Sequence, residues 1–211
     1  NYNIYFLGKD VTIQSEGSAE NTIIDAEGRD EDNNALNSRR IFSFEPHGSY
    51  GPVTSNTLID DITIRNGYLD DSHLHNTANN LYGAGIYIYQ SDPTFTNCII
   101  RDNKNIQNCY NCSVYGGGIY MYDSNSSFTD CEILDNHTQS EVDHSSHDAW
   151  ARGGGAYIQA GEVTFTRCLF SGNTSYTYDY NTDGSSVGFP QGGGIYHVHG
   201  TLNLVDTEIN I

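Results

Sequence analysis

TFTNCIIRDN (94–103), SFTDCEILDN (127–136) and TFTRCLFSGN (164–173) are three near-copies of one phrase. A second phrase interleaves with them: GAGIYIY (83–89), GGGIYMY (116–122), GGGAYIQ (153–159) and GGGIYHV (192–198). The glycine phrase advances by 33, 37 and then 39 residues, and the first phrase keeps step with it. Two motifs that stay in phase while the spacer between them changes length describe one structural unit per repeat, each stacked on the next.

The apolar positions inside the phrase have fixed offsets. Phe95, Cys98 and Ile100 recur as Phe128, Cys131, Ile133 and as Phe165, Cys168, Phe170. Ile59, Ile62 and Ile64 keep the same offsets upstream, and Leu204, Thr207 and Ile209 keep them downstream. A step of three and then two residues is an alternating strand, a corner and a second strand. The glycine phrase adds a third strand, with Ile86/Ile88, Ile119/Met121 and Ala156/Ile158 on one face and tyrosines on the other. No segment sustains a helical period. The expectation is an all-β chain: a single right-handed parallel β-helix of about six three-stranded coils, at roughly 4–28, 41–66, 83–103, 116–136, 153–173 and 192–211. Stacked about 4.8 Å apart, six coils make a rod of about 29 Å. One domain spans 1–211, with degenerate coils over 1–66 and regular ones over 67–211.

GGGIY followed by FTxCxIxxN, preceded by ENTIIDAEG and ITIRNGY, resembles the right-handed parallel β-helix repeats of the pectin-lyase-like superfamily. Polymorphic outer-membrane and autotransporter-type surface proteins carry a related pairing of motifs. The resemblance covers nearly the whole chain. It implies the fold, and an extracellular or cell-surface setting, more than any one activity, because this fold hosts lyases, hydrolases, adhesins and spikes.

Charge excludes some partners. Nine Lys+Arg against 27 Asp+Glu give a formal net charge of −18, which repels nucleic acid and anionic membrane surfaces. No apolar run is long enough for membrane insertion as a helix. Only 36% of the residues are hydrophobic, a modest supply for a globule but enough for a rod needing one apolar stripe per coil. Asn1 stands where a primary translation product would carry Met, which points to a processed protein or a piece of a longer one.

Four unlike spacers, 67–82, 104–115, 137–152 and 174–191, join the same two strands of successive coils, so they emerge along one edge. On that edge His144 and His147, with Asp143, Asp148 and Trp150 nearby, form a candidate ligand pocket beside His73, His75 and His137. No zinc spacing is complete there, and acidic, oxygen-rich loops suit Ca2+ better. Cys109 and Cys112 form a C-x-x-C; a loop-tying disulfide fits an extracellular protein, whereas zinc would need two more ligands. Cys98, Cys131 and Cys168 share one inward column, where parallel side chains match disulfide geometry poorly and small apolar fillers are expected.

Tyr87, Tyr120, Tyr157 and Tyr196 form a column that should point outward, with Tyr89 and Tyr122 beside it. Exposed aromatics at regular spacing bind sugar rings or protein partners; the same column could equally be a self-stacking ladder. Asn66, Asn103, Asn136 and Asn173 close each phrase and read as an inward hydrogen-bonding column. The sequons at Asn111 and Asn125 stand outside that column.

The resemblance also invites a search for lyase and glycosidase residues. Arg65 and Arg101 follow equivalent strands in adjacent coils, Asp102 and Lys104 lie close by, and Asp60-Asp61 is the acidic strand pair. An arginine could act as a base only with a pKa far below its usual value, and these acids sit where corners are polar anyway. The functional expectation is therefore an extracellular, non-catalytic structural or adhesive module presenting its loop edge and tyrosines to a glycan or protein partner. Open solenoid ends add head-to-tail self-association as a fibre. The alternative is a carbohydrate-active, lyase-like enzyme with its site on the loop edge.

Overall fold

The computed structural model describes residues 4–27, 40–46, 48–70, 81–108, 113–142, 149–179 and 188–210. They form a parallel β-solenoid with no helix among the described residues. Three sheets of six strands wall the tube. The first holds Ile4–Tyr5, Phe42–Phe44, Ile86–Tyr89, Ile119–Tyr122, Ala156–Gln159 and Ile195–His197. The second holds Thr12–Gln14, Leu58–Asp60, Thr94–Thr96, Ser127–Thr129, Glu162–Thr166 and Thr201–Val205. The third holds Ile23–Asp25, Thr63–Arg65, Ile99–Arg101, Glu132–Leu134, Leu169–Ser171 and Glu208–Ile209.

The phrase alignment is the pairing register. Phe95 pairs with Ile59 and Phe128, and Phe128 with Phe165. Ile100 pairs with Ile64 and Ile133. Equivalent side chains therefore stack along the axis. The Phe95, Phe128 and Phe165 rings lie 4.7 and 4.8 Å apart at 2° and 19°. Each such pair is worth about 0.5–1.5 kcal/mol beyond the area it buries. Cys98, Cys131 and Cys168 are free, buried thiols in the next column, and burial pushes the Cys131 thiol well up.

The corner between the second and third sheets uses left-handed backbone at Asp61 (φ 55°), Asn97 (52°), Asp130 (54°), Arg167 (51°) and Asp206 (49°). Short polar Asn and Asp tolerate that region, which explains their place in the phrase. Arg167 is the exception. Its guanidinium donates to Asp130 of the coil below at 2.7 and 2.6 Å, an exposed pair that solvent and salt screen.

The asparagine column is shorter than the sequence suggests. Asn103 Nδ2 donates to Ile64 O and to Asn136 Oδ1, Asn136 Nδ2 to Ile100 O and to Asn173 Oδ1, and Asn173 Nδ2 to Ile133 O. Gly67, not Asn66, holds the next place: its amide donates to Asn103 Oδ1 at 2.8 Å. The register Ile64↔Ile100 puts Asn66 level with Asp102, at the corner, with φ 58°. There its amide donates to Asp25 instead. The glycine phrase packs directly on this ladder, since a Cβ on Gly118 would meet Asn136 Cγ at 2.9 Å and Gly155 O at 2.7 Å. Asn136 and Asn173 are thus buried, while the sequon residue Asn125 is exposed.

The spacers depart most from expectation. Loops there would give three strands per coil throughout. Instead they pair among themselves into two further parallel sheets of four strands. The fourth sheet holds Tyr68–Asp70, Lys104–Asn108, His137–Val142 and Thr174–Asp179. The fifth holds Leu81–Tyr82, Val114–Tyr115, Ala149–Arg152 and Gly188–Gln191. The four middle coils therefore carry five strands each. The physical reason is that spacers leaving the same corner one rung apart already satisfy the parallel ladder at their roots.

Asn136→Ala would leave Asn103 N–H and Ile100 C=O without their partner inside the tube. It should lower stability by roughly 2–4 kcal/mol. Asn66→Gly, at a position that favours glycine, should change stability by about 0.5 kcal/mol or less. Chemical denaturation of the two variants checks both; equal losses would remove the distinction between ladder and corner.

Candidate functional site

Alternation along the strands of the first sheet turns Ile86, Ile88, Ile119, Met121 and Ile158 inward and the tyrosines outward. Tyr87, Tyr120, Tyr157 and Tyr196 stack face to face at 5.4, 5.4 and 5.6 Å, with interplanar angles of 5°, 6° and 18°. Tyr89 and Tyr122 stack beside them at 5.1 Å. The column does not form the exposed surface expected of it: Tyr120 and Tyr157 are only 6% and 5% exposed.

The fifth sheet covers them. Tyr82 meets Tyr120 edge-on at 4.7 Å, Tyr115 meets Tyr157 at 4.8 Å, and Tyr82 stacks on Tyr115 at 5.4 Å. The result is an aromatic seam that joins the spacer sheets to the tube, a second apolar layer outside the first. Burial pushes the Tyr87 and Tyr157 phenols up to about 12 and the Tyr120 phenol higher still.

Each end of the seam meets an arginine. Arg40 lies 4.5 Å from the Tyr87 ring centre and donates to Gly83 O and Tyr82 O at 2.8 and 2.5 Å. Burial lowers its pKa, partly offset by the Tyr87, Tyr5 and Glu45 charges. Arg152 lies 5.1 Å from both the Trp150 and Tyr196 rings, and its Nε donates to Gln191 Oε1 at 2.8 Å. Trp150 in turn stacks on Phe189 at 6.2 Å. Trp150, Arg152, Phe189 and Tyr196 are half-buried, so this end offers open ring and guanidinium surface that the middle of the seam does not.

The remaining sequence candidates divide. His73, His75, His144, His147, Asn111 and the Cys109/Cys112 pair lie outside the described residues. Among the described residues no group of three His, Cys, Asp or Glu side chains is placed to hold a metal ion. His137 stands on the fourth sheet between Thr174 Oγ1 (2.7 Å) and Gln139 Oε1 (3.3 Å), and burial lowers its pKa. Arg65 Nε donates to Asp25 at 2.7 Å, and Arg101 Nε to Asp102 at 2.6 Å. The Asp102 carboxylate raises the Arg101 pKa further, the opposite of what a catalytic base needs. Asp60 accepts from Gln14, Thr96 and Asn97 and serves the corner. A cleft of about 430 Å3 opens beside these residues, lined by Glu27, Asn66, Gly67, Tyr68, Asp102, Lys104 and Ile106.

A family model described as a right handed beta helix region matches residues 2–206. The chain belongs to that family. No curated protein and no solved structure matches it. Membership in the right-handed beta helix family agrees with the pectin-lyase-like resemblance and supports a structural or enzyme-like β-helix module.

The covering column was visible as a position: Tyr82, Tyr115, Arg152 and Gln191 each immediately precede the glycine phrase. Their mixed chemistry hid it, and Arg40 gave no signal. The seam makes a pH prediction. An unfolded chain releases tyrosine protons near about pH 10, while folded Tyr87 and Tyr157 hold theirs to about 12. Their contribution to stability is therefore full below about pH 10 and is lost as pH rises toward 12. Ultraviolet titration should show a late tyrosinate step that coincides with unfolding. Ionisation of every tyrosine near pH 10 in the folded protein would refute the buried seam. Tyr120→Ala should cost about 3–5 kcal/mol in denaturant unfolding.

Proposed function

We propose that this β-helix is an extracellular, non-catalytic structural or adhesive module that presents its spacer edge to a glycan or protein partner. The observation that carries the proposal is the half-exposed platform of Trp150, Arg152, Phe189 and Tyr196. Aromatic faces with a cation between them suit a flat, partly polar ligand such as a sugar ring or a partner's side chain. Tyr87, Tyr120 and Tyr157 support that platform from behind rather than touching a ligand with their faces, because each face already meets a neighbour. Ca2+ is the cofactor this reading admits, because acidic, oxygen-rich side chains suit it. Head-to-tail association is a further part of the proposal, because a parallel solenoid grows by adding rung on rung.

A second reading, a polysaccharide lyase-like enzyme, draws support from the cleft containing Tyr68, Asp102 and Lys104. One pair of experiments separates the two. On a glycan and protein array, Trp150→Ala combined with Arg152→Ala should reduce retention at least tenfold while Lys104→Ala leaves it unchanged. Incubation with acidic polysaccharides and calcium should produce no unsaturated product. Product formation that Lys104→Ala abolishes would replace the first reading with the second.

A further inference from the structure

The fourth and fifth sheets face each other across a slot with one polar wall, where Asn105, Gln107, Thr138 and Ser140 are buried, and one apolar wall, where Val114, Ala149 and Ala151 are buried. Asn105, Thr138 and Ser175 occupy one register position on the fourth sheet, one coil apart, and are the polar rungs that follow Leu69 there. At the first polar rung Asn105 spans the slot. Its Nδ2 donates to the carbonyls of Leu81 (3.0 Å), Tyr115 (3.2 Å) and Gly116 (3.4 Å) on the opposite wall. At the third polar rung the backbones approach, and Ser175 Oγ reaches Ala151 O at 2.5 Å. Beyond it the walls close, since a Cβ on Gly188 would meet Thr177 Oγ1 at 2.5 Å.

The middle rung is different. Thr138 neither spans the slot as Asn105 does nor bonds the opposite wall as Ser175 does. Asn105 and Thr138 are both 0% exposed, yet no described residue partners Asn105 Oδ1 or Thr138 Oγ1. The amide cannot be turned round to relieve this, because three carbonyls fix its nitrogen. The two buried oxygens belong to residues paired across adjacent rungs, whose backbones run about 4.8 Å apart. A buried oxygen left without a donor keeps the full desolvation cost of its burial.

We propose that the slot is a binding site for one small guest held by Asn105 Oδ1 and Thr138 Oγ1, a species that donates to or is coordinated by neutral oxygen. Two sources share that chemistry: a monovalent cation and a structural water. The net charge of −18 favours cations generally, while neutral ligands and no carboxylate in the pair suit a single charge rather than a double one. The guest would bridge the rungs at the place where the protein supplies no bridge, and so tie the spacer sheets to one another.

Crystals of the full chain grown in sodium or potassium salt, with a matched set soaked in rubidium, give the direct test. A density peak within bonding distance of both oxygens is expected. Anomalous scattering at that peak in the rubidium set identifies a cation, and its absence identifies water. Thr138→Val should lose the peak and lower the thermal midpoint by several degrees. Thr138→Asn, which can span the slot as Asn105 does, should lose the peak but keep the midpoint within about two degrees. No peak in the wild-type protein, or a Thr138→Val variant as stable as wild type, overturns the proposal.

Discussion

Parallel pairing between coils, about 4.8 Å from strand to strand, is the constraint on which everything else rests. It makes each residue's nearest neighbour along the axis its own equivalent. Apolar columns meet the condition easily, as the Phe95, Phe128 and Phe165 rings do at that pitch. Polar columns meet it only if the side chain can donate and accept at once. Asn136 does both: its Oδ1 accepts from the Asn103 main chain and side chain, and its Nδ2 donates to Asn173 Oδ1 and Ile100 O. A buried asparagine that would be costly alone becomes satisfied by repetition.

The same constraint works outside the tube. Outward tyrosines on successive rungs have little choice but to stack, and their separation of 5.4 Å, wider than the strand pitch, fits rings fanning outward. The spacers obey it as well. Their first residues pair as Lys104, His137 and Thr174, and their last as Tyr115, Arg152 and Gln191. All the differences in spacer length therefore fall between the paired segments. Insertions that look disruptive in the sequence leave the register untouched, and the fifth sheet can fold over the tyrosines in each middle coil.

The core was legible because its columns are apolar and its period is two. Phe95, Cys98 and Ile100 announce a strand, a corner and a strand by their offsets alone. The fourth sheet was not legible, because both faces of KNIQN and HTQSEV are largely polar. Beyond Leu69 its buried face is Asn105, Gln107, Thr138 and Ser140, and hydropathy carries no signal for burial of that kind. Asn66 shows a different limit. Residue identity placed it with Asn103, but offset from Ile64 places Gly67 there, and in a repeat fold offset outranks identity. The exposed tyrosine column failed for the same reason as the loops: without the fifth sheet, nothing in the sequence says what covers Tyr120.

A uniform column has a translational symmetry that works against recognition. A ligand lying on identical rungs could sit at any of them, so a perfect ladder confers stability without confering a position. A defined binding register needs a rung unlike its neighbours. The column before the glycine phrase supplies one: it runs Tyr82, Tyr115, Arg152, Gln191, aromatic twice and then cationic and neutral. Arg152 sits where that change occurs, between two rings and beside the only tryptophan. The middle rung of the slot is a second break, where Thr138 stands between Asn105 and Ser175 and does what neither neighbour does. In a molecule whose stability comes from sameness, these two departures are where chemistry can be local.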